Sequence, residues 1–222
     1  MDVQQYAVIG MGRFGASLAG ELMKLGHQVL GIDKDEEVID EMYNVVTHAV
    51  VADATDEEVL RSLGIRNFDC VIVAIGNDIQ TSILVSIQVK EMGVKKVVAK
   101  ALSDLHGRVL QRLGVDRIIY PERDMGIRVA HHLVSPNLLD YIELSKDYTI
   151  AELTVPRCLN GTTLRELDPR AKFGCSIVAL NKPDGIVIAP TADTVLMEND
   201  IMVMIGTNVQ IEQFEEKFKD HN

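Results

Sequence analysis

The segment Tyr6-Ala7-Val8-Ile9-Gly10-Met11-Gly12-Arg13-Phe14-Gly15 restricts the folds open to this chain more than any other stretch of its 222 residues. An apolar, β-prone run leads directly into G-x-G-x-x-G, which opens an amphipathic stretch from Ala16 to Leu25. A second apolar run, Gln28 to Ile32, ends at an acid, Asp33, eighteen residues beyond Gly15. Strand, tight turn, helix, strand and acid in this order describe a nucleotide-binding βαβ unit. Gly10 permits the turn, Gly12 lets backbone approach a phosphate, and Gly15 lets helix and strand pack closely. The helix N-terminus offers unpaired N–H groups and a partial positive charge to phosphates. Asp33 sits where a carboxylate accepts hydrogen bonds from ribose hydroxyls.

The alternation continues. Apolar runs predict strands at Tyr6–Gly10, Gln28–Asp33, His48–Ala52, Cys70–Ile75, Lys96–Ala101 and Arg117–Tyr120. Helical periodicity predicts helices at Arg13–Leu25, Glu36–Tyr43, Asp56–Leu63, Ile79–Met92 and Asp104–Leu113, with Gly26, Gly64, Gly93 and Gly114 at their ends. Nearly all-apolar strands joined by helical crossovers imply an α/β fold, a doubly wound parallel sheet covered on both faces. Residues 1–122 read as this Rossmann domain, which binds ligands at the carboxyl ends of its strands. Residues 123–144 read as crossover and linker helices: Arg123–Val134 is helical, Ser135-Pro136-Asn137 breaks it, and Leu138–Leu144 is a short amphipathic element. Residues 145–222 read as a smaller α+β lobe. Its strands are expected at Thr149–Val155, Ser176–Asn181, Ile186–Ala189 and Ile201–Ile205, and its helices at Thr163–Leu167 and Asn208–Phe218. Lys182-Pro183-Asp184-Gly185 supplies a turn between two of these strands.

Composition narrows the function. The formal net charge is −11, from 33 acidic and 22 basic side chains, which opposes nucleic-acid binding and attraction to anionic lipid. Charged or turn-forming residues interrupt every apolar run, and the N-terminus lacks the pattern of a signal peptide. A cytoplasmic protein without direct membrane insertion is expected. Cys70, Cys158 and Cys175 are widely spaced, which suits reduced, mostly buried thiols.

Other strand ends converge on the same crevice. Asp53-Ala54-Thr55 follows the third strand, Gly76-Asn77-Asp78 the fourth, and Lys100 closes the fifth. Each also has an ordinary turn or cap reading, Thr55 as an N-cap with Glu58 three residues on. Arg13 begins the first helix, where its charge opposes the helix dipole unless an anion is present. That position suits a third phosphate and favours a nucleoside triphosphate over a dinucleotide. Glu122, past the sixth strand, is either a helix-terminal carboxylate or a ligand for a cation bridging to phosphates. Adjacent helical positions keep His131 and His132 from converging on one metal. Met202 and Met204 alternate on one strand face and read as core. No arrangement of acid, base and nucleophile marks a catalytic centre.

Several motifs together resemble one family. Gly10–Gly15 as G-M-G-R-F-G, Asp53-Ala54-Thr55 as D-A-T, Val73–Gly76 as V-A-I-G, Pro121–Gly126 as P-E-R-D-M-G and Leu167–Gly174 as L-D-P-R-A-K-F-G are similar to RCK domains. Those are cytosolic regulators of potassium channels and transporters, and the likeness is to the KtrA/KtrC type of bacterial Ktr uptake systems. The resemblance implies a regulator that is not an enzyme. It implies dimers assembled into an octameric ring docked on a membrane potassium-translocating subunit of the KtrB/KtrD type. ATP is expected to favour conduction and ADP closure. By motif, Gly10, Met11, Gly12, Arg13, Phe14 and Gly15 hold phosphates, Arg13 at the γ-phosphate, while Asp33, Lys34 and Asp35 border the ribose. Asp53, Ala54, Ile75, Gly76, Asn77, Lys100, Ala101, Leu102 and His106 complete the nucleotide pocket. Glu122 is implied as ligand of a divalent cation, Mg or Ca, at a dimer interface. In the C-terminal lobe the resemblance implies cyclic di-AMP bound between subunits by Leu164, Asp168, Arg170, Ala171, Ser176, Ile177 and Pro190. Pro169, Ser176 and Leu102 depart from residues frequent at these positions in relatives. The competing expectation is an NAD-dependent oxidoreductase or redox sensor, since the first βαβ unit and Asp33 suit NAD(H) equally. A nucleotide-sensing repressor is disfavoured by the acidic balance.

Overall fold

The computed structural model describes residues 2–134 and 138–218. Two compact units divide the chain, Met1–Arg123 and Asp124–Asn222.

In the first unit, strands β1 (Gln5–Ile9), β2 (Gln28–Asp33), β3 (His48–Val51), β4 (Cys70–Val73), β5 (Val97–Lys100) and β6 (Arg117–Ile119) form one parallel sheet. Helices α1 (Arg13–Lys24), α2 (Glu36–Met42), α3 (Glu57–Ser62), α4 (Ile79–Glu91) and α5 (Asp104–Arg112) are the crossovers. The order β3-β2-β1-β4-β5-β6 reverses direction between β1 and β4, which opens a crevice at their carboxyl ends. β4 is buried at all four positions, as a strand covered on both faces must be. Separate apolar clusters fill the two faces: Ile9, Ile32, Leu60, Val73, Val85 and Leu110 belong to one, and Val8, Ala19, Val29, Ile39 and Ile72 to the other. Every predicted strand and helix of this unit is present, with ends displaced by one or two residues. The cap assigned to Thr55 is corrected. Asp56 caps α3 by accepting from Glu58 N, and Thr55 instead donates to Asp53.

Helix α6 (Pro121–Val134) leads into the second unit. There β7 (Leu138–Glu143), β8 (Tyr148–Thr154), β9 (Ser176–Lys182), β10 (Gly185–Ile188) and β11 (Ile201–Thr207) form an antiparallel sheet, ordered β10-β9-β11-β8-β7. The expectation of linker helices through 144 is therefore corrected beyond Val134. Leu138–Glu143 is a strand because it pairs with β8, Ile142 opposite Ile150. Short helices α7 (Leu164–Leu167) and α8 (Pro169–Phe173) and the longer α9 (Asn208–Lys217) complete the lobe. Thr163 and Glu166 cap α7 reciprocally, and Thr207 and Gln210 do the same for α9. The single turn of α8 has no helical periodicity of its own, and it is started by Pro169 behind a left-handed Asp168. Met202 and Met204 are fully buried beside Leu153, Leu180 and Phe214, and the predicted Lys182–Gly185 turn joins β9 to β10. Cys70, Cys158 and Cys175 are free thiols, Cys70 and Cys175 buried and Cys158 exposed, which matches the expectation of mostly buried cysteines. Ser135-Pro136-Asn137 and the side chains of His131 and His132 lie outside the described residues. No helix among the described residues is long and apolar enough to cross a membrane.

Candidate nucleotide-binding site

The glycine turn sits at the crevice where the sheet reverses. Gly10 has φ +95°, and a Cβ there would meet Ile75 N at 3.0 Å and Ala74 C at 3.1 Å, so the loops after β1 and β4 touch backbone to backbone. Gly15 has no room at all: an added Cβ would lie 1.9 Å from Gly10 O. Gly12 is the opposite case. A Cβ there meets nothing within 4 Å, and the gap lies at the N-cap of α1, which no side chain caps and whose first turn holds no acid. Unpaired helix N–H groups beside open space are the arrangement that binds phosphate. Arg13 is exposed in that first turn.

Asp33, the expected ribose acid, is held by two backbone amides. Its Oδ2 accepts from Met11 N at 2.7 Å and its Oδ1 from Asp35 N at 3.1 Å. The acid thus clamps the glycine turn to the end of β2, with lone pairs left over. Asp35 also caps α2 through Glu37 N. Lys34 is exposed, and its charge helps hold both Asp53 and Asp78 acidic. Asp53 is kept below the usual carboxylate range chiefly by the Thr55 hydroxyl, 2.7 Å away, and then by Thr55 N. Asp78, which the sequence placed at the crevice edge only as part of the turn after the fourth strand, caps α4 and accepts from Thr81 Oγ1 at 2.7 Å, which lowers its pKa in the same way.

On the far side of the turn, Lys100 is 7% exposed. Its Nζ lies 2.5 Å from Glu122 Oε1 and 5.9 Å from the centroid of the Phe14 ring. Glu122 is held below the ordinary glutamate pKa first by this hydrogen bond, with the charge of Arg13 adding to it. Phosphate turn, Arg13, Lys100 and Glu122 therefore share one electrostatic neighbourhood. Gly76 keeps this corner clear, since a Cβ there would sit 2.9 Å from Lys100 Nζ. His106 is buried, accepts Leu102 N on Nδ1 at 3.3 Å, and leaves Nε2 without a partner; burial pushes its pKa down.

All nineteen nucleotide residues expected from the sequence fall on the carboxyl edge of the parallel sheet or the helix starts that follow it. Their side chains do not all face the crevice. Met11, Ala54 and Ala101 are core residues, Met11 lying against Gly31, so these three offer backbone only. Exposed residues of the set include Asn77 and Leu102, and Ile75 is half-buried. Glu122 stands without other metal ligands: no group of three or more His, Cys, Asp or Glu gathers among the described residues.

In the second unit the expected cyclic di-AMP residues divide. Leu164 is part of the hydrophobic core, which fits packing better than ligand contact. Asp168 accepts from Ala171 N at 3.4 Å and acts as a helix cap. Arg170 is exposed and donates from Nε to Ser176 Oγ at 3.2 Å, leaving its outer nitrogens for an anion. Ile177 and Pro190 are half-buried and Ala171 is exposed.

A Rossmann unit with an uncapped glycine turn, joined to a small antiparallel lobe, defines a two-lobed nucleotide-binding protein. The family comparison makes that class specific. A TrkA-N domain matches residues 6–121 and a TrkA-C domain residues 149–219. The chain is 45% identical to the Ktr system potassium uptake protein C of Bacillus subtilis, over 96% of this chain and 97% of that protein. It is 38% identical to Ktr system potassium uptake protein A of Vibrio alginolyticus, over 91% of this chain and 92% of that one. The chain belongs to the TrkA-N/TrkA-C family that includes the Ktr system potassium uptake proteins. Among solved structures, a GsuK channel superposes on 99% of the chain with a TM-score of 0.71 at 20% identity, a likeness of fold; the chain spans 40% of that channel. A GsuK channel bound to NAD is 25% identical with a TM-score of 0.53, covering 98% of this chain and 39% of that one.

Proposed function

We propose that this chain is the cytosolic regulatory subunit of a potassium uptake system, with a nucleotide in the glycine-turn crevice controlling a membrane potassium-translocating subunit. One observation carries the reading: the open, uncapped start of α1 at Gly12 and Arg13, in a chain related along its whole length to Ktr uptake proteins. The chain is read as having no reaction of its own. This follows kinship with the Ktr uptake proteins, and the crevice and C-terminal lobe offer binding groups.

ATP and ADP are the proposed ligands. Arg13, exposed in the first turn of α1, is proposed to meet the third phosphate and so to distinguish a triphosphate from a diphosphate. A ligand shifts a conformational equilibrium only by its differential affinity for the two states, and a γ-phosphate read by Arg13 supplies such a difference. Glu122 suits a divalent cation if nucleotide phosphates provide the other ligands, the usual mode for magnesium. NAD(H) in the same crevice is a second reading, favoured by the related channel that binds NAD. Homo-oligomerisation is proposed from α6, where Met125, Ile127, Val129 and Leu133 are exposed; an octameric ring against the membrane subunit follows from kinship with Ktr proteins. Cyclic di-AMP at Arg170, Ser176, Ile177 and Pro190 is proposed for the C-terminal lobe.

Titration calorimetry of the purified chain with ATP, ADP and NADH, with and without magnesium, tests the reading. Binding of ATP and ADP, with ATP sensitive to magnesium, is the expected result. Binding of NADH alone would replace it with the redox-sensing reading.

A further inference from the structure

The Lys100–Glu122 pair is lopsided. The lysine side chain is 8% exposed and the glutamate 69%. Water can solvate the carboxylate, but a buried ammonium needs an anion beside it. Phe14, whose ring is 5.9 Å from Nζ, belongs to the first turn of α1, so the buried charge stands between the glycine turn and the carboxylate after β6. Arg13 also acts on Glu122. Phosphates held at the turn would therefore enter a field in which one ammonium already has a carboxylate, and the carboxylate already has a cation.

We propose that Lys100 is an exchangeable counter-ion of Glu122: its ammonium neutralises that carboxylate until nucleotide phosphates draw it away, and the freed Glu122 then receives a divalent cation carried by those phosphates. The proposal rests on the nucleotide reading above. A divalent ion and an ammonium repel at one carboxylate, and at 2.5 Å the lysine already occupies Oε1, one of the two oxygens such an ion would use. Glu122 has no cluster of further protein ligands among the described residues, so phosphates must accompany the ion. Removing the lysine then has two effects of opposite sign. It takes a positive charge from the phosphates, and it leaves Glu122 permanently open to the cation.

The test compares ATP affinity of the full chain in EDTA and in saturating magnesium, taking the ratio of the two dissociation constants as the magnesium enhancement. Lys100→Gln weakens ATP in EDTA but raises the enhancement by at least about 5-fold over wild type, the lower end of ordinary coupling between sites. Adding Glu122→Gln to either background brings the enhancement near that of ATP without a protein-bound cation. An enhancement that stays the same or falls in Lys100→Gln overturns the proposal, because a lysine that only binds phosphate weakens ATP equally in both buffers. If Lys100→Gln does not fold, the exposed single variant Glu122→Gln decides. With Lys100 released, ATP should bind several-fold tighter in EDTA, and unchanged or weaker binding overturns the exchange. Wild-type protein that binds no ATP in either buffer overturns the nucleotide reading itself, which is visible before any variant is compared.

Discussion

Gly12 and Gly15 lie three residues apart in one motif, yet the structure gives them opposite sensitivities. At Gly12 the backbone has φ −62° and ψ −178°, open to any residue, and an added Cβ meets nothing within 4 Å. Gly12→Ala loses about 0.5–1 kcal/mol of N-cap preference and gains about 0.4–1 kcal/mol from a stiffer unfolded chain. Its stability should stay within about 1 kcal/mol of wild type, roughly 2–4 °C in melting temperature for a chain of this size. The methyl group nevertheless fills the gap that a phosphate needs, and nucleotide affinity should fall by at least ~100-fold, about 2.8 kcal/mol. At Gly15 a Cβ would lie 1.9 Å from the Gly10 carbonyl oxygen, more than an ångström closer than real Cβ atoms approach. Both atoms belong to rigid elements, so Gly15→Ala must push α1 off β1 at an overpacking cost of about 1–3 kcal/mol or more. Thermal unfolding and calorimetry on the two variants separate the effects. A Gly12→Ala protein that binds nucleotide within threefold of wild type refutes phosphate placement at this turn. A Gly15→Ala protein as stable as wild type refutes the close packing.

Arg13→Ala should bring ATP and ADP affinities close together while leaving ADP binding largely intact; equal loss for both nucleotides in calorimetry would remove Arg13 from the γ-phosphate. Burial holds His106 below its ordinary pKa of 6.5, so the unfolded chain binds its proton first as the pH drops. Stability due to this residue is therefore full above about 6.5, is lost as the pH falls towards the depressed folded pKa, and loses no more below it. His106→Gln should flatten melting temperature against pH between 5 and 7 relative to wild type, and identical slopes would contradict a neutral buried imidazole. Arg170→Ala should weaken cyclic di-AMP binding at least ~10-fold, since a charge-assisted bond to phosphate is lost; unchanged affinity in equilibrium dialysis would place the dinucleotide elsewhere or nowhere.

The extent to which the site was legible in the sequence follows from how local each signal is. G-x-G-x-x-G and Asp33 announce themselves because a turn, a helix start and a strand end are made within some thirty consecutive residues. The Lys100–Glu122 pair has no such signature: the partners are 22 residues apart, one at the end of β5 and the other in the first turn of α6. Asp33 was readable as a ribose acid, but its grip on Met11 N depends on β1 and β2 lying side by side. Leu164 stood among ligand candidates through the family resemblance, and only packing shows it to belong to the core.

The sequence by itself determined the six-stranded α/β unit, its crossovers and the sheet edge that carries the candidate site. Long periodic segments bury a defined face, and the chain's own spacing records them. Tertiary structure alone decided that Leu138–Glu143 is a strand, since Ile142 is held opposite Ile150 by pairing with β8 and a six-residue amphipathic segment satisfies either period. It also decided which members of the glycine motif tolerate a side chain, and which charge neutralises Glu122. Those properties arise from atoms that meet only when separate strands and helices are brought together.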